Sequence, residues 1–159
     1  MAVNVPLAAT TDRTAGQTKK GMSGDSISGA FIVVIEGEPD VLAALELLLE
    51  VFGCTVLAAA AGEQAAARLH GFAKPPDAII ADYRLDGGTL GTDAIRTVQQ
   101  AAGGGVPGIL LTGDTSPERI REARASGFRL MHKPVRTAVL KSLLAEILGS
   151  AASHRKPGN

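Results

Sequence analysis

A chain of 159 residues suits one domain with tails and is long enough to bury a core without disulfides or structural metal. Sixteen basic residues balance sixteen acidic ones, so net charge offers no argument for nucleic acid or an anionic membrane as partner. The lone Cys54 excludes an internal disulfide and every multi-cysteine zinc pattern, leaving a buried, space-filling thiol as the expected role. No apolar stretch approaches the roughly 18–20 residues needed to span a bilayer, and the N-terminus lacks a hydrophobic signal core, so a cytoplasmic location is expected.

Residues 1–8, MAVNVPLA, form a short alternating run ending at a proline, suited to the last strand of something preceding this block in a longer chain. Residues 9–29 are rich in Thr, Ser and Gly and read, with 1–8, as a flexible N-terminal segment. A compact block is expected over 30–149, followed by a disordered tail over 150–159.

Within the block the first expected strand is FIVVI, an apolar run suited to burial on both faces. Pro39 opens a helix in which Val41, Leu42, Leu45, Leu48, Leu49 and Phe52 recur at helical spacing, with Gly53 as its stop. A second strand, TVLAA, leads to a short helix over 63–69. DAIIA supplies the third strand, and a helix over 92–102 follows, with Ile95 and Val98 inward. GILL is the fourth strand. Ser116-Pro117-Glu118 combines an N-cap hydroxyl, a first-turn proline and an acid at the positive dipole end, which predicts a helix reaching Gly127. A strand over 128–131 and a helix over 136–148, burying Val139, Leu143, Leu144 and Ile147, complete the block. Five strands alternating with five helices imply an α/β, doubly wound parallel sheet.

Several motifs do not hold. GGGVPG ends a helix and precedes a strand, the reverse of a dinucleotide fingerprint, and there is neither a P-loop nor a nucleophile elbow. His70, His132 and His154 share no metal-ligand spacing.

The informative feature is that four of the apolar runs end on polar residues of different kinds: Glu36, Asp82, Thr112 and Lys133, the last followed by Pro134. Singly, each is explained as a loop cap, a pre-helical acid, a strand-end hydroxyl or a surface lysine. Ligands in such sheets bind beyond the carboxyl strand ends where the strand order reverses. Two carboxylates, a hydroxyl and an ammonium on one rim suit a metal ion and a phosphoryl group, whose charges need neutralising. A lysine about 4 Å from a carboxylate contributes roughly 4 kcal/mol of gross attraction near an effective dielectric of 20, enough to hold Lys133 over the site and keep Asp82 ionised. The Lys133-Pro134 bond suggests a fixed, cis-compatible turn that aims the lysine inward.

The motifs VVIEGEPDV, IIADYRL, ILLTGD and HKPV, in that order and spacing, resemble the receiver domain of two-component response regulators over Ala30 to Gly149. Their wording is closest to C-terminal receivers of hybrid sensor histidine kinases. The resemblance implies a flavodoxin-like five-stranded sheet of order 2-1-3-4-5. It implies that Asp82 accepts a phosphoryl group from the phosphohistidine of a kinase or histidine phosphotransfer protein. Glu36, Asp82 and the Arg84 carbonyl would hold Mg2+, Thr112 would be the switch hydroxyl beside Gly113, and Lys133 the charge partner. A contact surface, and a homodimer interface, would use the fourth helix, fifth strand and fifth helix, about Ser116–Leu148. With no DNA-binding module after Gly149, neither nucleic-acid contact nor membrane contact by this segment is expected.

Two departures stand out. Gly37 occupies the position of the usual second acid, which predicts Mg2+ affinity lower by about 10–100-fold or more. Leu130 occupies the position of an aromatic that swings with the threonine, which argues against aromatic gating. The alternative reading is therefore a pseudo-receiver, an interaction module of the same fold disabled by Gly37. A hydrolase using an aspartyl-phosphate would need a general acid that Tyr83 and Arg84 do not offer. The receiver itself is not a conventional enzyme, although the segment would suit the C-terminal part of a hybrid kinase.

Overall fold

The computed structural model describes residues 27–154. The chain order is β1 (Phe31–Ile35), α1 (Pro39–Val51), β2 (Thr55–Ala59), α2 (Gly62–Arg68), β3 (Ala78–Asp82), α3 (Gly91–Ala101), β4 (Gly108–Thr112), α4 (Pro117–Ala125), β5 (Arg129–His132) and α5 (Thr137–His154). Short 3-10 turns follow α2 at Leu69–Gly71 and β3 at Asp86–Gly88. All strand pairings are parallel and the order is β2-β1-β3-β4-β5, as expected.

The strands β1, β3 and β4 are continuous apolar runs because helices cover both faces of the sheet. Phe31, Val33 and Ile35 face one core with Ala65, Ile95, Val98 and Ala123 of α2, α3 and α4. Ile32 and Val34 face the other with Leu45, Leu49, Leu140 and Leu144 of α1 and α5. Each fully buried Ile or Leu contributes roughly 1.5–3 kcal/mol relative to exposure, so these two layers dominate stability. The Phe31 and Phe72 rings stack at 4.4 Å over the open end of the first layer.

Several boundaries differ from expectation. Ile27, assigned to the linker, is fully buried beneath the second layer, and its carbonyl accepts from the Cys54 thiol at 3.4 Å. The apolar side chain, surrounded by linker-like residues, gives no periodic signal of its own. The last helix continues to His154 and so takes in residues 150–154, counted with the tail, because SAAS carries no helix breaker. The N-terminal readings of 1–8 and 9–26, and the final residues 155–159, lie outside the described residues. Val139 is 46% exposed and Leu140 is buried instead, a one-position rotation of α5 that its nearly continuous apolar sequence could not fix. Ser116 is the α4 N-cap residue, but its hydroxyl makes no cap bond; its backbone N–H donates to Asp114 Oδ1 at 2.8 Å. β5 begins one residue later than expected, leaving Phe128 outside the strand and packed against the first core.

Candidate functional site

The strand order reverses between β1 and its two neighbours, β2 and β3. The β1–β3 register sets Ile35 opposite Ala81, so Glu36 and Asp82 leave the sheet side by side at its carboxyl edge. Lys133 follows β5, two strands from β3, and its long side chain crosses the rim. Its Nζ donates to Glu36 Oε2 at 3.1 Å and stands 3.3 Å from Asp82 Oδ2. The Lys133-Pro134 bond is cis.

The two acids play different parts. Glu36 is 1% exposed, and its second oxygen accepts the Glu38 backbone N–H at 3.1 Å, so it is enclosed with a partner on each oxygen. The Asp82 side chain retains 15% exposure and is the acid reachable from solvent. Burial pushes the Asp82 carboxyl above its ordinary value and the Glu36 charge adds to this, while Lys133 and the Arg84 backbone N–H oppose it. Burial presses the Lys133 ammonium down, yet the bond to Glu36 and the two carboxylate charges outweigh it and hold its pKa above normal.

Thr112 ends β4 on the same rim and is 5% exposed. Its hydroxyl accepts the Asp114 N–H at 3.1 Å and lies 3.4 Å from the Asp114 carbonyl, so it is engaged with the β4–α4 loop. Asp114 in turn pairs with the Arg84 guanidinium at 3.6 Å, which ties that loop to the one carrying Asp82. The loop after β3 is closed by Leu85 N–H to Thr89 and Gly91 N–H to Tyr83 bonds, in which the Arg84 carbonyl takes no part. Gly91 is required at the start of α3: a Cβ there would fall 2.2 Å from the Asp82 carbonyl oxygen. Gly113 meets no such constraint, and Leu130 packs half-buried against the first core.

Residues the sequence reading did not single out also belong here. Asp114 bonds Thr112 and Ser116, and Glu122 of α4 accepts from the buried Tyr83 hydroxyl at 2.9 Å. The carboxylate of Asp86 stands over Gly37, 3.2–3.4 Å from where a Cβ would be. An acidic residue in a Gly-rich loop is too common a feature to have marked Asp86 beforehand.

The donor set is all hard oxygen, the chemistry that suits Mg2+, which takes one or two carboxylates and keeps several waters. Among the described residues no three His, Cys, Asp or Glu side chains stand as a ready-made cage. Glu36, Asp82 and the Arg84 carbonyl nonetheless meet the smaller requirement of Mg2+, so the residues fit that ion.

A family model for the response regulator receiver domain matches residues 32–145. The chain is 30% identical over 126 residues to the phyllosphere-induced regulator PhyR of Methylorubrum extorquens, covering 79% of this chain but 46% of that protein, so it spans about half the length of that relative. Among solved structures, a receiver domain protein from Clostridium thermocellum superposes with a TM-score of 0.68 at 23% identity, covering 79% of this chain and 98% of that one. The anti-anti-sigma factor PhyR from Bartonella quintana gives 0.68 at 21% identity, covering 91% and 57% respectively. At those identities the structural likenesses speak for the fold, and it is the family match across most of the chain, on top of the strand order and the Glu36–Lys133–Asp82 cluster, that decides membership: the chain belongs to the response regulator receiver domain family.

Proposed function

We propose that this domain accepts a phosphoryl group on Asp82 from the phosphohistidine of a kinase or phosphotransfer partner. The observation that carries the reading is that Lys133 spans both acids at 3.1 and 3.3 Å while Asp82 alone of the two is open to solvent. An Asp82 carboxylate oxygen attacks phosphorus in line, the O–P bond forms as the N–P bond to imidazole breaks, and the imidazole leaves with the electron pair. Lys133, held by enclosed Glu36, is already in place to meet the charge on the transferred oxygens, with no reorganisation during the step. Bound Mg2+ would neutralise charge on Asp82 and the phosphoryl oxygens; Glu36, Asp82 and the Arg84 carbonyl would hold it. Thr112 would exchange its Asp114 contacts for a bond to the new phosphoryl group, pulling on the β4–α4 loop.

The test is incubation with Mg2+ and acetyl phosphate followed by intact-mass measurement. One added phosphoryl group is expected, and none on Asp82→Asn. An equal adduct on that variant would remove Asp82 from the role.

A second reading, the pseudo-receiver, is favoured by one observation: Gly37 supplies no carboxylate to the pocket. In that case the domain works through protein contacts without phosphate, and neither Mg2+ nor acetyl phosphate alters it. The likeness to two PhyR proteins, one of them described as an anti-anti-sigma factor, supports a protein partner for the output in either reading. The α4–β5–α5 face, with a groove lined by Leu130, His132, Val139 and Leu143, is the proposed contact and homodimer surface. No helix among the described residues is long and apolar enough to cross a membrane, which accords with the proposed cytoplasmic setting. The proposed hybrid-kinase origin draws on the motif wording and on the opening run MAVNVPLA, which resembles the last strand of a kinase ATP-binding domain.

A further inference from the structure

Of the nine residues of α4, Ala123 alone is buried, with Arg119 and Ile120 half-buried. The apolar side chain that this helix encloses fully is thus one methyl group, whereas α3 buries Thr92, Ala94, Ile95 and Val98. Elements so thinly packed are the ones that shift at the lowest cost. What else fastens α4 is polar. At its start the Ser116 N–H donates to Asp114 Oδ1 at 2.8 Å. Further along, Glu122 Oε2 accepts from the Tyr83 hydroxyl and from the Arg119 guanidinium, both at 2.9 Å.

The two ends of the Tyr83 bond are unequal. Tyr83 is fixed: it is 2% exposed within the first core, its N–H donates to Leu111 O at 2.7 Å, and its carbonyl accepts the Gly91 N–H at 2.8 Å. The Glu122 side chain is 54% exposed and keeps Arg119 as a partner, so water replaces the phenol there at little cost. The phenol has no such recourse. A buried hydroxyl that loses its acceptor carries its full desolvation penalty. The bond therefore favours α4 in the position it has here, and the tyrosine supplies most of that preference.

We infer, resting on the phosphoacceptor reading and deepening it, that the Tyr83–Glu122 bond is a latch on α4 that opens when Asp82 is phosphorylated. Tyr83 is then a positioning residue: the neighbour of the acceptor sets how readily the domain switches. The link runs through the β4–α4 loop. The Thr112 hydroxyl, which turns to the phosphoryl group in that reading, now accepts the Asp114 N–H at 3.1 Å, and Asp114 holds the start of α4 through Ser116. Withdrawing Thr112 loosens this turn, and α4 moves against a tyrosine that does not follow. Linkage makes the effect reciprocal: a bond that phosphorylation breaks also resists phosphorylation. Weakening it raises the population of the competent conformation, and the reaction rate rises with that population.

The experiment is the initial rate of phosphoryl incorporation from acetyl phosphate at fixed Mg2+, read by intact mass on the 159-residue chain and three variants. Tyr83→Phe and Glu122→Ala should each react about 5-fold faster than the parent, the factor that one hydrogen bond is worth. Glu122→Gln, whose amide carbonyl still accepts from the phenol, should stay near the parental rate. A merely structural tyrosine would lower the melting temperature without quickening the reaction. Tyr83→Phe and Glu122→Ala proteins that react no faster than the parent overturn the inference and leave Asp82 as the acceptor. Tyr83 is the sole tyrosine in a chain without tryptophan, so its fluorescence reads the bond directly. Emission should rise on phosphorylation of the parent, as the phenol leaves the quenching carboxylate, and stay level in Glu122→Ala. An equal change in both proteins overturns the latch. A parent that acquires no phosphoryl group overturns the phosphoacceptor reading, and this inference with it.

Discussion

The hydroxyl of Tyr83, the residue directly after Asp82, donates to Glu122 Oε2 on α4 at 2.9 Å. Tyr83 is 2% exposed, and burial, reinforced by Glu122, raises its pKa, so the phenol remains a donor throughout the physiological range. Glu122 is shared with Arg119 one turn earlier, also at 2.9 Å. The backbone of the acceptor strand is thus tied to α4 by a side chain on the strand's own next residue, while position 130, at the β5 edge, carries only a leucine.

For Tyr83→Phe the expected loss is about 1 kcal/mol, the value of a hydrogen bond whose acceptor can turn to water. Amide hydrogen exchange should quicken in α4 and leave α1 unaffected. Equal acceleration in both helices would show that the contact supports global stability only.

Lys133→Ala should be destabilising as well as inactivating. Removing it strands Glu36, 1% exposed, without its ammonium, and breaking such a buried pair costs roughly 3 kcal/mol. Adding Glu36→Gln removes the stranded charge and should recover most of that loss in urea denaturation. A double variant no more stable than Lys133→Ala alone would contradict the assignment.

Asp82→Asn should melt at a higher temperature than the parent at pH 7. The folded-state pKa of Asp82 lies above its ordinary 3.8, so between those two values the native state holds the proton more tightly than the unfolded chain does. Stability from this group is therefore present below about 3.8 and lost as pH rises through the folded value; the ionised acid is a net cost near neutrality. The difference between parent and variant should close toward about pH 3. A parent that is the more stable protein at pH 7 would reverse this sign.

Gly91→Ala should lower stability by about 1–3 kcal/mol, because the new methyl meets the Asp82 carbonyl at 2.2 Å and the start of α3 must move away. Since the displaced backbone belongs to the acceptor residue, phosphorylation by acetyl phosphate should slow in the same variant. An alanine as stable and as reactive as glycine would mean that the approach is looser than the structure has it.

What was legible from sequence was the alternation of doubly buried strands with helices, their order, and the polar residues at four strand ends. These are local signals: apolar continuity and helical spacing are set by whether one or two faces are covered. What only the tertiary structure decided depends on register and rotation between distant segments. Lys133 reaches Glu36 across 97 positions of chain, and no local pattern reports that distance. The rotation of α5 that buries Leu140 in place of Val139 is chosen by packing, since both faces of that helix are apolar in sequence. Ile27 enters the core for the same reason, packed into the second layer by tertiary contacts that its own neighbours in sequence do not announce. The occupancy of the space above Gly37 by Asp86, and the bond from Tyr83 to Glu122, arise from loops meeting across the rim, where periodicity carries no information and side-chain geometry decides.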